Sequence, residues 1–519
     1  MASPLTVLSD KQLKAKNNLC VEIGKQFSKV NSTEKHCLYI IEGGAGTGKT
    51  IIASSLFFDL QDVLMSDDVS GMQNKMRKLK IEFLVNHDEL YSSYNAQNDA
   101  KTLGKLNKKR ILKPVEFIDS IKRQYLSIAL QYIEDANKED LLEKFKYKGD
   151  KAYFYRQISQ VMEKAVVNCS VDSKYNDALI LEILNKKYTG EEIEALCNIV
   201  FNKIKILPVI DLPDIVIVDE GHLLAVDGRG GTAPESQLAY IVSKVKMTIL
   251  VFDLKQFVKK NAYIEHKNRN IVEVLTYFLK DKIDNFEDKV DVYSSLILKE
   301  QFRMECSEDT VNWLSELSKN GGIIKNIFND TDKYTVKNHV IIECDEKGSP
   351  IYEIGICESI KEMLDIMKEK KNLSKIVATY NWAYKKDDKP NVFRIENREF
   401  VWHKTKKGKE VWTKKGILVD NKNEIIEPIE IGAYHDIQGF DLNYVGVIIG
   451  PSFTYCDKRI NIIPTNRADV IEKKPTENIS ELISNELAIL LSRGKKGVCI
   501  YATDPALRGK LMDIVKQHT

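Results

Sequence analysis

Paired cysteine motifs are missing from this chain. Its nine cysteines, at 20, 37, 169, 197, 306, 344, 357, 456 and 499, are odd in number, and none has a C-x-x-C partner. That argues against a structural zinc or a disulfide framework and for a reducing interior. Long apolar runs are missing too: none approaches the roughly 18 residues needed to span a bilayer. The first residues, "MASPLTVLSDKQLKAKNN", lack the apolar core of a secretory signal. These absences predict a cytoplasmic protein with no membrane contact. Charge of one sign is scarce as well. With 77 Lys and Arg against 75 Asp and Glu, the net charge is +2, which excludes a histone-like or polybasic-tail binder. A local basic groove stays open, because a sum hides patches. No internal repeat or low-complexity tract is present.

What is there is a 519-residue chain, 43% hydrophobic, enough for two to four cored domains at roughly 100–200 residues each. Residues 10–28 read as an amphipathic helix. "CLYII" (37–41) and "IEFLV" (81–85) are short buried strands, and the run from Lys49 to about Leu64 is helical. "DIVIVDE" (214–220), "MTILVFD" (247–253), "KIVATY" (375–380), "YVGVIIG" (444–450) and "GVCIYATD" (497–504) are apolar strands without polar alternation. Such strands, spaced by helical segments, indicate parallel sheets covered on both faces. They fall into two groups, before and after about residue 298, which predicts two α/β domains, 1–297 and 298–519. Residues from about 90 to 205 read as a largely helical insertion in the first. The polar, Lys-rich stretch around 385–425 reads as a smaller insertion in the second.

Gly43, Gly44, Ala45, Gly46, Thr47, Gly48, Lys49 and Thr50 fit G-x-x-x-x-G-K-[ST]. Glycines there let backbone N–H groups turn toward phosphate oxygens, and the helix that follows adds its positive end. Lys49 is expected on the β and γ phosphates of ATP, and Thr50 on Mg²⁺. Asp219 and Glu220 close an apolar strand, where Asp219 can hold the metal and Glu220 can orient or deprotonate a water. Those features alone leave kinases, GTPases, transporters and motors open. Four more stretches narrow the choice. "VFDLKQ" puts Asp253 and Gln256 at a strand end, where a polar side chain can sense the γ phosphate. "LKEQFRM" offers Arg303, "GAYHDIQGFDL" gives a polar loop, and "ELAILLSRGKKG" places Arg493 at a helix end. Two arginines from outside the first domain are what a nucleotide-clamping second domain needs.

In this order the motifs resemble the superfamily 1 helicases, and most closely the Schlafen group 3-like DNA/RNA helicase domain family. The resemblance runs from about Leu8 to Leu511. It is carried by the phosphate loop, "VDEGH", "FDLKQ", "EQFRM", "HDIQGFDLNYVGVIIGPS" and "LLSRGKKGVCIYATDP". It implies two RecA-like P-loop domains with ATP and Mg²⁺ between them. By the same resemblance Gln12 is the adenine-reading residue, Gln256 the γ-phosphate sensor, and Arg303 and Arg493 the arginine fingers. Gly439 and Asp441, with His435 and Gln438, match the loop that links ribose, phosphate and nucleic acid. Asp441 stands where superfamily 1 motifs usually carry Glu, a shorter reach. Family members are often fused to a nuclease domain, and no nuclease constellation is present here.

The expected activity is ATP-dependent unwinding of, or translocation on, single-stranded DNA or RNA. The rival expectation is an ATPase switch that senses nucleic acid and gates a partner, such as a nuclease in an anti-phage defence system. "TYNWAY" (379–384) and the region of Trp402 and Trp412 offer aromatics beside lysines, readable either as base platforms or as core.

Overall fold

The computed structural model describes residues 8, 10–30, 35–44, 46–65, 80–86, 91, 111–121, 124, 210–226, 236–258, 262–266, 269–298, 301–370, 373–382, 392–402, 425–437, 442–468 and 478–517. Most of the expected insertion at 90–205, and much of that at 385–425, lies outside the described residues.

Strands β1 (His36–Gly43), β2 (Ile81–Val85), β3 (Ile111–Leu112), β4 (Ile215–Asp219), β5 (Met247–Phe252) and β6 (Val290–Leu298) form one sheet in the order β3-β2-β4-β5-β1-β6. Every neighbouring pair is parallel. The short β3 falls within the stretch read as an insertion, yet it pairs with β2 and so belongs to the sheet.

The apolar runs lack alternation because both faces are buried. Successive side chains point to opposite faces, so Leu38 and Ile40 of β1 enter one core, and Cys37, Tyr39 and Ile41 enter the other. Val216 and Val218 of β4 divide from Ile215 and Ile217 in the same way. Helix α1 (Asp10–Val30) brings Leu19 and Ile23, and α2 (Lys49–Met65) brings Leu56 and Phe57, to the second of those cores. Helices α3 (Gln237–Lys244) and α4 (Ile271–Lys280) cover the first. Ser236 caps α3, and Asn270 with Glu273 forms a capping box on α4, so both starts are fixed by local hydrogen bonds.

A second set of strands follows α5 (Phe286–Lys289) and α6 (Glu308–Ser318). They are β7 (Tyr334–Lys337), β8 (Val340–Cys344), β9 (Pro350–Ile356), β10 (Ser374–Ala378), β11 (Val392–Ile395), β12 (Arg398–Trp402), β13 (Ile429–Ile431), β14 (Leu442–Ile449), β15 (Phe453–Cys456), β16 (Arg459–Ile462) and β17 (Gly494–Ala502). Six of them make a sheet in the order β10-β14-β17-β9-β8-β7. β10, β14, β17 and β9 run parallel, while β8 and β7 are antiparallel additions. This departs from the purely parallel expectation. The reason is legible in β8, where burial alternates along the strand because one face is less covered. Helices α7 (Ile360–Glu369), α8 (Tyr434–Ile437), α9 (Ile479–Leu491) and α10 (Pro505–Lys516) accompany this second set of strands. The chain is a mixed α/β protein with a large parallel sheet, consistent with a RecA-like fold. No described helix is long and apolar enough to cross a membrane.

Helix α9 packs on the segment that follows β5. Asn485 donates to the Phe257 carbonyl at 3.0 Å, and the Tyr263 hydroxyl donates to Glu481 at 2.8 Å. His266 Nε2 lies 3.0 Å from the other Glu481 oxygen. The bond to Glu481 raises the His266 pKa, against the opposing effect of burial. Burial would raise Glu481, but His266 and Tyr263 hold it below its ordinary value.

The two signs define a window. A raised histidine stabilises fully below its unfolded value of about 6.5 and loses that as pH rises through the folded value. A lowered carboxyl stabilises above about 4.3 and loses that as pH falls through the folded value. The contact is therefore strongest in mildly acidic solution. His266→Ala is expected to lower the melting temperature more at about pH 5.5 than at about pH 8. Equal losses at both would show that the pair contributes packing only.

Candidate nucleotide site

The phosphate loop joins the carboxyl end of β1 to the start of α2, as a strand–loop–helix unit. Gly46 and Gly48 sit at φ +79° and +84°, where a side chain is strained. A side chain would crowd its neighbours as well. A Cβ on Gly46 would lie 2.8 Å from Gln301 Oε1, and one on Gly48 would lie 2.2 Å from Gln12 Nε2. Gln12, reached by way of α1, donates to the Thr47 carbonyl at 3.3 Å. The structure thus puts Gln12, expected to read adenine, against the phosphate loop. Ala45 lies outside the described residues.

Lys49 departs from expectation. A phosphate-loop lysine is expected to be exposed, but Lys49 is only 7% exposed. Its ammonium donates to the carbonyls of Gly43 and Gly44 and lies 3.1 Å from Asp253 Oδ2. β5 lies between β1 and β4 in the sheet, which is why the residue after β5 faces the loop after β1. Asp253 Oδ2 also accepts from Gln256 Nε2 at 2.8 Å. Lys49, Asp253 and Gln256 therefore form one buried chain, in which the expected sensor reaches the lysine through an aspartate.

This changes what Lys49→Ala does. Removing one partner of a buried ion pair leaves the other charge uncompensated, on the order of 3 kcal/mol. Lys49→Ala is expected to lose hydrolysis and also to melt at a lower temperature than wild type. Adding Asp253→Asn is expected to restore most of the stability and none of the turnover. A Lys49→Ala protein as stable as wild type would show that Asp253 is adequately solvated without the lysine.

Asp219 is fully buried at the end of β4. Its Oδ1 accepts from the Thr50 hydroxyl at 3.2 Å and from the Glu220 N–H at 3.0 Å. Its Oδ2 is buried with no hydrogen-bond partner among the described residues. Burial and the neighbouring Glu220 charge push Asp219 up to about 7. An orphaned carboxylate oxygen beside a hydroxyl fits a hard divalent cation, whose charge offsets that penalty. No group of three or more metal-ligating side chains occurs among the described residues.

Glu220 adopts the left-handed region at φ 53°. A non-glycine residue pays for that conformation, and such strain gathers at functional positions. His222 Nε2 lies 3.0 Å from Glu220 Oε2, and the His222 side chain is fully buried, edge-on to Phe252. Burial would raise the Glu220 carboxyl, but His222, Lys49 and Arg493 together hold it below its ordinary range.

Arg493 thus exerts its charge on a residue at the end of β4, although it follows α9 far along the chain. It is 3% exposed, not the surface residue that a lone arginine usually is. Arg303 comes to the same loop from another side. The Phe302 N–H donates to the Gly46 carbonyl at 2.8 Å, and Arg303 Cβ lies 2.9 Å from a Cβ built on Gly46. Of the expected ribose-linking loop, His435 lies in α8, while Gln438, Gly439 and Asp441 fall outside the described residues.

One contributor escapes reasoning from sequence: His222 stands there only as the last letter of "VDEGH". Asp253 was singled out as a strand-end polar group, but not as the partner of Lys49. Trp402 proves to be core, 3% exposed, with its indole N–H on the Trp382 carbonyl at 3.1 Å. Trp412 lies outside the described residues.

A glycine cradle at a helix start, an acidic strand end with a free oxygen, and two arginines converging from later in the chain define a class: helicase-like P-loop proteins. The sequence model of the family described as Schlafen group 3, DNA/RNA helicase domain, matches residues 36–504. This chain belongs to that family. It is also similar to an uncharacterized protein of Saccharomyces cerevisiae, 24% identical over 530 aligned positions that cover 97% of this chain and 90% of the other.

Proposed function

We propose that this protein hydrolyses ATP with Mg²⁺ and uses the cycle to move along single-stranded DNA or RNA. In this reading each six-stranded sheet is the core of a RecA-like domain, 1–297 and 298–519, with insertions at about 90–205 and 385–425. The observation that carries it is the convergence of Arg303 and Arg493 on the loop and acidic pair of the first sheet. A nucleotide bound there would be held from both sides.

Gly43, Gly44, Ala45, Gly46, Thr47 and Gly48 would cradle the phosphates through backbone N–H groups, and Gln12 would read the adenine. Thr50 and Asp219 would hold Mg²⁺, which supplies charge neutralisation at the phosphates. Glu220, kept ionised by its cationic neighbours, would orient and deprotonate the attacking water. Lys49, Arg303 and Arg493 would stabilise the charge on the transferring phosphoryl group. Gln256 would report γ-phosphate contact to Lys49 through Asp253. Gly439 and Asp441, with His435 and Gln438, would connect ribose to the strand. Cytoplasmic placement belongs to the same reading and rests on cysteines that are free wherever described.

The test is steady-state ATPase with single-stranded DNA, with single-stranded RNA and with no polymer, beside displacement of a tight-binding block from one strand end. Stimulation with displacement is expected. Stimulation without displacement would identify a sensor that gates a partner, such as a nuclease. Turnover indifferent to both polymers would overturn the nucleic-acid reading.

A further inference from the structure

The second sheet carries a cavity at the edge away from the converging arginines. β10, β14 and β17 are parallel. Arg493 immediately precedes β17, while Trp382, Pro451, Thr503 and Asp504, beyond the carboxyl ends of β10, β14 and β17, line the cavity. The nine residues of β17 therefore separate the two places, roughly 25–30 Å at the usual rise per residue. The cavity volume is about 590 Å³, within the range of roughly 300–1,000 Å³ typical of small-ligand sites. In open α/β sheets the crevice outside the carboxyl ends is also where ligands bind.

Its lining combines an aromatic plane with guanidinium groups. Phe393 stacks on the Trp382 indole, with centroids 4.9 Å apart and planes at 11°, and Trp382 lines the cavity. The segment leading to Trp382 is held firmly. The Tyr380 N–H donates to Glu486 at 2.6 Å, Asn381 donates to the Asn466 carbonyl at 2.7 Å, and the Ala468 N–H donates to the Tyr380 carbonyl at 3.1 Å. Arg508 is fixed as well, with one nitrogen donating to the Tyr501 hydroxyl at 3.1 Å and to the Ala502 carbonyl at 2.8 Å. Arg394 is largely exposed and pairs with Glu399 at the surface, an association weak enough to yield to another anion.

The two acids in the wall are already engaged. Glu396 accepts from the Ile360 N–H and the Tyr501 hydroxyl, and Asp504 accepts from the N–H groups of Leu507 and Tyr455. A purely apolar ligand would leave the arginines unused, and a bare anion would leave the indole unused. A nucleotide uses both, its base against the aromatic plane and its phosphate at the guanidiniums.

We propose that this cavity binds one nucleotide, base toward Trp382 and phosphate toward Arg394 and Arg508, separately from the phosphate-loop site. The nucleotide belongs either to a single strand, a source that rests on the function proposed above, or to a free mononucleotide. The test uses the full chain with its phosphate loop saturated by a non-hydrolysable ATP analogue. One arm titrates a short single-stranded oligonucleotide carrying 2-aminopurine, and the other titrates AMP.

Trp382→Ala and Arg394→Glu are expected to weaken one of the two ligands about 5- to 150-fold, the span measured for loss of one stacked base. Trp382→Phe is expected to retain most of the binding. Arg394 is exposed, so its variant keeps the test alive where Trp382→Ala fails to fold. Loss confined to the oligonucleotide assigns the site to the strand, and loss confined to AMP assigns it to the free nucleotide. A wild type that binds neither ligand beside the analogue, or variants that match wild type in both arms, would overturn the proposal. A wild type whose ATPase ignores polymer yet binds AMP here would sink the motor reading and leave this site standing.

Discussion

Glu220→Gln is expected to bind Mg²⁺-ATP as wild type does and to hydrolyse it about 10²- to 10⁴-fold more slowly, the usual contribution of a positioned general base. The substitution keeps the shape and keeps an acceptor. A glutamine side chain fills the same place beside His222 Nε2, which lies 3.0 Å from the Glu220 carboxylate. It also leaves the left-handed backbone at φ 53° no more strained than before. What disappears is the negative charge that takes up a proton. Asp219→Asn should separate cleanly from it. Asp219 Oδ2 is buried with no hydrogen-bond partner among the described residues, so its loss is expected to weaken metal-dependent nucleotide binding first. Nucleotide titrations with and without Mg²⁺, beside single-turnover hydrolysis, distinguish the two. Equal loss of Mg²⁺-nucleotide affinity in both variants would show that the division of labour between them is wrong.

The parts of this site that were legible in the sequence are those fixed by local chemistry. Apolar runs without alternation gave away β1, β2, β4, β5, β10, β14 and β17, because strands buried on both faces have no polar side to show. Gly46 and Gly48 were legible because only glycine suits their backbone and the space around it. The antiparallel β7 and β8 were not, since short half-covered strands carry a weak pattern. Nor was the burial of Lys49. It depends on β5 inserting between β1 and β4, a pairing across more than two hundred residues that sets Asp253 beside the lysine. His222 was hidden for a similar reason. Only the tertiary fold shows that its ring is packed against Phe252 and turned to Glu220. The aromatics divided in a way no sequence pattern reveals, Trp402 into the core and Trp382 onto a cavity wall.

Arg493→Ala is expected to bind ATP nearly normally and to hydrolyse it about 10³- to 10⁵-fold more slowly, the range for an arginine finger in phosphoryl transfer. The arginine is 3% exposed and sits between the end of α9 and the start of β17. Its charge is one of those that favour the ionised Glu220 carboxyl. In the proposed reading, ground-state ATP would already have its β and γ phosphates cradled by the loop and Lys49. The charge that spreads over the transferring group in the transition state is what a guanidinium adds to. Turnover should therefore fall far more than affinity. Polymer stimulation should fall with it, because in the proposed reading a strand lying across both sheets accelerates hydrolysis by bringing this arginine into register. Arg493→Lys is expected to recover little, since a point charge does not reproduce the planar fork. Because the residue is buried, Arg493→Gln is the companion that keeps polar bulk if Arg493→Ala melts early, and it should show the same split. The measurement is steady-state ATPase against polymer concentration, with nucleotide affinity by titration and melting temperature as the control for folding. An Arg493→Gln protein that is folded, turns over at the wild-type rate and still responds to polymer would reduce this arginine to a structural cation and remove the main support for a cleft closed from two sides.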